Sequence, residues 1–194
     1  MSKISILGIN GSPKKSGLTS KLLMQCLDQA QIEGAKTQLV HLVDYEKSFF
    51  KGDTHRVSED LKSVVDLLLG ANGFVVATPV HWMNMSSLLK NFLDELTVLE
   101  EHNFDLEGKV AGFIATENEG GGWQTVLDLA GPFSHMGVLF PPHSFIFYNM
   151  RFSKKSERNW MEKDIRLLGR NIVKMAEILP QDDEYFWDYE RLKS

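Results

Sequence analysis

The sequence predicts an α/β domain: a five-stranded parallel sheet with helices packed on both faces. Two observations carry this. Apolar residues alternate down the chain between short continuous runs and stripes of helical period. The short runs are apolar almost throughout, as strands buried on both faces must be. Strand-then-helix units joined by right-handed crossovers place the helices in two layers, a doubly wound three-layer sandwich.

Residues 4–9 form the first apolar run. Residues 19–32 form the first helix, with Leu22, Leu23, Cys26, Leu27 and Ala30 on one face and Gly34 placed to cap its end. Residues 37–42 read as the second strand, and the polar, aperiodic residues 46–58 as a loop. Residues 59–69 are helical through Leu61, Val64, Val65 and Leu68, closed by Gly70 or Gly73. Residues 74–78 are a continuous apolar strand. Residues 85–99 read as one helix through Leu88, Leu89, Phe92, Leu93 and Leu96. A strand at 110–116, a helix at 124–136 and an interrupted strand at 139–147 follow. The long helix 155–179 carries Ile165, Leu168, Ile172, Met175 and Leu179 on its seam. Five strand units fit the flavodoxin-like order 2-1-3-4-5 better than the six-stranded dinucleotide fold.

A chain of 194 residues suits one domain, here 1–180, followed by a tail, 181–194, that carries Tyr185, Phe186, Trp187, Asp188 and Tyr189. Those aromatics dock either on their own core or on a neighbouring subunit. A net charge of −5 argues against nucleic acid and anionic membrane as partners. The single cysteine, Cys26, lies on the apolar helix face and reads as a buried thiol; one cysteine cannot supply an iron–sulfur or zinc–thiolate cluster. No pair of histidines has metal-ligand spacing, so no metal is expected. The start of the chain leads straight into a strand without a signal peptide, and a cytoplasmic location is the expectation.

In such a sheet the loops after strands 1, 3 and 4 meet at the carboxyl edge, where the strand order reverses. The first loop contains Gly8, Gly11 and Gly17 but matches neither the dinucleotide fingerprint nor a Walker A loop: Leu18 stands where the latter has lysine. It is an oxyanion cradle of Ser12, Ser16, Thr19 and Ser20 with Lys14 and Lys15, opening a helix whose N-terminus adds partial positive charge. That suits a terminal monophosphate. As a plain helix start, the same stretch would use Ser16 as N-cap. The second loop, Thr78, Pro79, Val80, His81, Trp82, Met83, Asn84, Met85 and Ser86, offers apolar faces and an amide to a flat heteroaromatic ligand, or else packs beneath itself as core. The third loop runs from Thr116 through Glu117, Asn118 and Glu119 to Gly120, Gly121 and Gly122. Its glycines allow close backbone approach to a ligand, or a flexible turn.

With these motifs in place, the chain resembles the NADPH-dependent FMN reductase family of the flavodoxin-like superfamily over residues 4–140. The resemblance rests on Gly11, Ser12, Pro13 and Lys14 followed by Thr19. It rests also on Thr78, Pro79, Val80, Trp82, Met85 and Ser86 followed by Leu89, Lys90, Phe92, Leu93 and Asp94, and on Gly108, Lys109 and Val110 leading to Thr116 and the three glycines. It implies that Ser12, Lys14, Thr19 and Ser20 bind the FMN phosphate. Pro79, Val80, His81, Trp82, Met83 and Asn84 line the isoalloxazine, and Thr116 with Gly120, Gly121 and Gly122 its other edge. Departures are Gly17 and Leu18 for the family's Ser-Asn, His81 for a common tyrosine, and Glu117 and Glu119 for small residues; the glutamates would oppose an anionic nicotinamide cofactor. Residues 45–60 lack the cysteines of the iron–sulfur branch.

The implied activity is an FMN-dependent NAD(P)H oxidoreductase, with NADPH or NADH as co-substrate and a quinone, flavin, nitro or azo acceptor, working by a ping-pong mechanism. The flavin carries the chemistry, so no catalytic side chain is required; His81 is the one candidate proton donor. A homodimer or homotetramer is expected. The alternatives are a flavodoxin-like electron carrier that does not oxidise NAD(P)H, and a regulatory relative without the cofactor.

Overall fold

Five strands run parallel in the order β2-β1-β3-β4-β5 in the computed structural model, which describes residues 3–45, 49–53, 55–101, 104–151 and 155–179. They are β1 Ser5–Asn10, β2 Lys36–His41, β3 Gly73–Pro79, β4 Val110–Glu117 and β5 Phe145–Asn149. The helices are α1 Leu18–Ile32, α2 Glu59–Leu69, α3 Ser87–Glu95, the short α4 Val98–Glu101, α5 Gly122–His135 and α6 Lys155–Ile178. The flavodoxin-like order is therefore the observed one. The tail at 181–194 lies outside the described residues. Among the described residues no helix is long and apolar enough to cross a membrane.

Strand alternation divides the core in two. Leu7, Ile9, Phe74, Val76 and Phe113 point into one layer, against α2, α3 and α5 through Val64, Leu68, Leu89, Phe92 and Phe133. Ile6, Val75, Ala77 and Ile114 point into the other, against α1 and α6 through Leu23, Cys26, Ile165, Leu168 and Ile172. The first layer is strengthened by stacked rings, Phe113 on Phe133 at 5.5 Å and on Phe145 at 5.9 Å between centroids. β4 is buried along its whole length, with the apolar residues 110–115 followed by buried Thr116 and Glu117.

Four element boundaries differ from the sequence expectation. The first helix is capped by Gly17, not Ser16, because a turn closed by Gly17 N–H to the Lys14 carbonyl (3.2 Å) moves the start one residue on. The helix expected over 85–99 is two helices. The Ser86 hydroxyl accepts the Leu89 N–H and starts α3 at Ser87. The Thr97 N–H and hydroxyl both donate to the Asp94 carbonyl and end it. Val98 and Leu99 stay buried beyond the break, so apolar periodicity runs straight through it. The interrupted strand at 139–147 keeps only its second half: Leu139 makes an isolated bridge to Val110, Pro141 and Pro142 lack N–H donors, and His143 sits at φ 63°. α5 begins at Gly122, so the triple glycine is partly helix.

α1 and α6 approach through Gly169, where an added Cβ would lie 2.2 Å from the Cys26 carbonyl oxygen and 3.0 Å from Gln29 Cβ. Gly169→Ala should therefore lower stability by about 1–3 kcal/mol despite alanine's better helix propensity. Urea unfolding checks this.

Candidate active site

The carboxyl ends of β1, β3 and β4 surround a cavity of about 600 Å³, within the ordinary range for small-molecule sites. Its first wall follows β1. Gly11 N–H donates to the Ala77 carbonyl of β3 (2.7 Å), and a Cβ on Gly11 would fall 2.9 Å from Leu89 Cβ on α3, so glycine lets the loop fit between strand and helix. Buried Asn10 accepts the Ser12 N–H (3.1 Å) and the Ser12 hydroxyl accepts the Lys14 N–H (3.1 Å), which folds the loop back toward α1. No side chain caps α1 and no acidic residue stands in its first turn. That turn meets the cavity as a positive helix end. Lys14 lines the cavity, whereas Lys15 is held by Asp44 at 2.5 Å.

The second wall is a two-residue hairpin. His81 and Asn84 exchange backbone hydrogen bonds (2.8 and 3.1 Å), and Trp82 and Met83 between them sit at φ 49° and 66°. This is the geometry that hairpins normally give to Asn-Gly, here imposed on two bulky residues. Trp82 projects wholly into solvent at the cavity rim. The Ser86 hydroxyl donates to the Gly11 carbonyl (2.6 Å), tying this loop to the first.

The third wall is locked to the second. Gly121, at φ 88°, touches the Met83 backbone: a Cβ there would lie 2.7 Å from Met83 Cα. Val80 N–H donates to the Thr116 carbonyl (2.8 Å), and the Thr116 and Thr19 hydroxyls meet at 2.7 Å.

Ser12, Lys14, Thr19, Pro79, Val80, His81, Trp82, Met83, Thr116 and Gly120 thus line one cavity. Four other candidates stand back from it. Ser20 is buried in α1 with an unpartnered hydroxyl. Asn84 turns outward, its amide donating to Asp128 (2.9 Å) and accepting from Met85 N–H (2.7 Å). Gly121 caps α5, and the Gly122 N–H is taken by the Glu117 carboxylate at 2.6 Å. Leu18, Asn118 and Met150 also line the cavity and were not expected. Met150 had a legible signal, because a fifth parallel strand must end at the same edge.

Glu117 is not the exposed obstacle to an anionic ligand that its sequence position suggests. It is buried, its carboxylate accepting from Gly122 N–H and from the Asn149 side chain (3.0 Å), while its carbonyl accepts Met150 N–H (2.9 Å). It caps α5 and pins β5 to the third loop. Glu119 does line the cavity and is paired with Arg151 at 2.5 Å.

The arrangement has two unlike ends. Ser12, Lys14, Thr19 and the α1 N-terminus form a compact donor set for a phosphate monoester. Pro79, Val80 and the Trp82–Met83 hairpin form a largely apolar wall. An FMN-sized mononucleotide fits that polarity.

Comparison with known proteins agrees. The family model described as NADPH-dependent FMN reductase matches residues 4–150. The chain is 27% identical over 128 residues to an iron–sulfur flavoprotein of Methanosarcina thermophila, covering 62% of this chain and 67% of that one. It is 27% identical over 161 residues to an NAD(P)H-dependent FAD/FMN reductase of Geobacillus thermodenitrificans, covering 79% and 82%. A solved archaeal flavodoxin superposes with a TM-score of 0.63 at 15% identity, over 90% of this chain and 99% of its own. Of a second iron–sulfur flavoprotein, from Archaeoglobus fulgidus, the chain spans 59% at 28% identity. Here the one cysteine is buried in the α1 layer, and residues 45–60 contain none.

Glu117→Ala should destabilise the fold by about 1.5–3 kcal/mol, since it strands the Gly122 donor at a buried helix end. Glu117→Gln, which keeps an acceptor, should cost less. Parallel urea titrations of the two variants check the order.

Proposed function

The chain belongs to the NADPH-dependent FMN reductase family, and from that premise we propose that it is an FMN-dependent NAD(P)H oxidoreductase acting on a small-molecule acceptor. The observation that carries this reading is the meeting, in one cavity, of an uncapped helix start beside Ser12, Lys14 and Thr19 with the wall formed by Pro79, Val80 and the 81–84 hairpin.

FMN, when bound, supplies a ring that accepts a hydride and returns electrons. The residues bind and orient. Ser12, Lys14 and Thr19 hold the phosphate together with the first-turn N–H groups of α1, including that of Ser20. Pro79, Val80 and Met83 would cover one side of the ring with Gly120 beside it, while the Thr116 hydroxyl, 2.7 Å from that of Thr19, stands toward the phosphate end. Trp82 and Met83 stand at the cavity rim, where donor and acceptor would reach the flavin in turn, a ping-pong order. His81, which lines the cavity, is the candidate proton donor to a reduced quinone, nitro or azo acceptor. Glu119 pairs with Arg151, which partly offsets its charge toward a nicotinamide nucleotide.

Protein loaded with FMN should lose its visible flavin absorbance on anaerobic addition of NADPH or NADH, then turn over a quinone in steady state. Flavin binding without bleaching by either nucleotide would leave an electron carrier; no flavin binding would remove the reading. Lys14→Ala should weaken FMN binding about tenfold while leaving riboflavin, which lacks the phosphate, unchanged. Quenching of flavin fluorescence measures both.

A further inference from the structure

We propose that Asn10 and His41 form a proton-sensitive brace that holds the phosphate loop in its binding shape. The brace rests on the reading of that loop as the FMN phosphate site. It lies beneath the cavity, at the ends of β1 and β2, and neither residue touches the cavity itself.

The hydrogen-bond roles follow by elimination. Ser12 N–H can only donate, so the atom of Asn10 facing it at 3.1 Å is Oδ1. The Asn10 Nδ2 then faces His41 Nδ1 at 2.8 Å, and Nδ2 carries only hydrogens. His41 Nδ1 must therefore accept, which makes the ring neutral with its proton on Nε2. Protonating His41 sets N–H against N–H. Asn10, fully buried in the strand, cannot repair this by turning over, because its NH₂ would then face the Ser12 N–H. Loop shape and imidazole charge exclude one another.

Burial also pushes the His41 imidazole down. Of the charges that act on it, Asp44 opposes that shift and Lys15 reinforces it, and these two are paired with each other at 2.5 Å. Lys15 belongs to the same loop, so loop and histidine are coupled twice. The sign follows from linkage. His41 binds protons less readily with the loop in place than with it released. The brace is intact above the ordinary imidazole range, near about pH 6.5, and is lost as pH falls through it toward the lowered value. A ligand that needs the loop in place must bind less well in acid.

Two measurements on the full chain test this. In the first, the His41 imidazole is titrated by NMR without FMN. It should titrate about one pH unit lower in the natural protein than in Asn10→Ala, which frees Nδ1; equal values would overturn the brace. In the second, binding of FMN and of riboflavin is followed by fluorescence at pH 7.5 and 4.5. The natural protein should lose about tenfold more FMN affinity between these pH values than His41→Asn, whose carboxamide can still accept from Asn10 but does not titrate. Riboflavin should show no such difference. Equal FMN slopes would also overturn the proposal, even if Asn10→Ala fails to fold. If FMN binds neither protein at either pH, the cofactor reading fails, and the NMR titration still decides the brace.

Discussion

The Ser86 hydroxyl stands between three stretches of backbone at the carboxyl edge of the sheet. It donates to the Gly11 carbonyl at 2.6 Å and accepts the Leu89 N–H at 3.1 Å, while the Ser86 N–H donates to the Thr78 hydroxyl at 3.1 Å. It is buried, so each bond is made where an unmade one would leave a polar group without water. One side chain thus fixes the first loop, the second loop and the start of α3 as a single body. From there the rim closes on itself: Met83 packs on Gly121, Val80 bonds to Thr116, and Thr116 bonds back to Thr19 on α1. Every wall of the cavity is held by its neighbour.

That closure explains how Trp82 and Met83 persist at positive φ. Such residues cost of order 1–3 kcal/mol each and survive only where surroundings over-determine them. Here the His81–Asn84 pair, the Asn84–Asp128 bond and the Gly121 contact supply the constraint. The result is a rim whose shape is set by bonds within the protein.

The sheet was legible because its central strands, buried on both faces, are apolar along most of their length, as in 74–77 of β3 and 110–115 of β4. Helix ends were less so, because the break between α3 and α4 is made by Thr97 bonding to Asp94 while the apolar stripe continues in Val98 and Leu99. Within the site, residue type showed which loops matter but not where each charge points. Lys15 and Glu117 look alike in sequence to Lys14 and Glu119, yet Lys15 is held by Asp44 and Glu117 is turned into the start of α5. Asn10 looked like the end of a strand, and its role depends on His41, which only the β1–β2 pairing brings beside it.

Cys26 lies fully buried where α1 meets α6, with burial holding its thiol far above the ordinary range and Gly169 pressed on its carbonyl. Thiol reagents attack the thiolate and need room to approach. Neither condition is met while the two helices touch. Alkylation of this lone sulfur is thus gated by separation of one helical layer, and its pace is an internal clock for that opening.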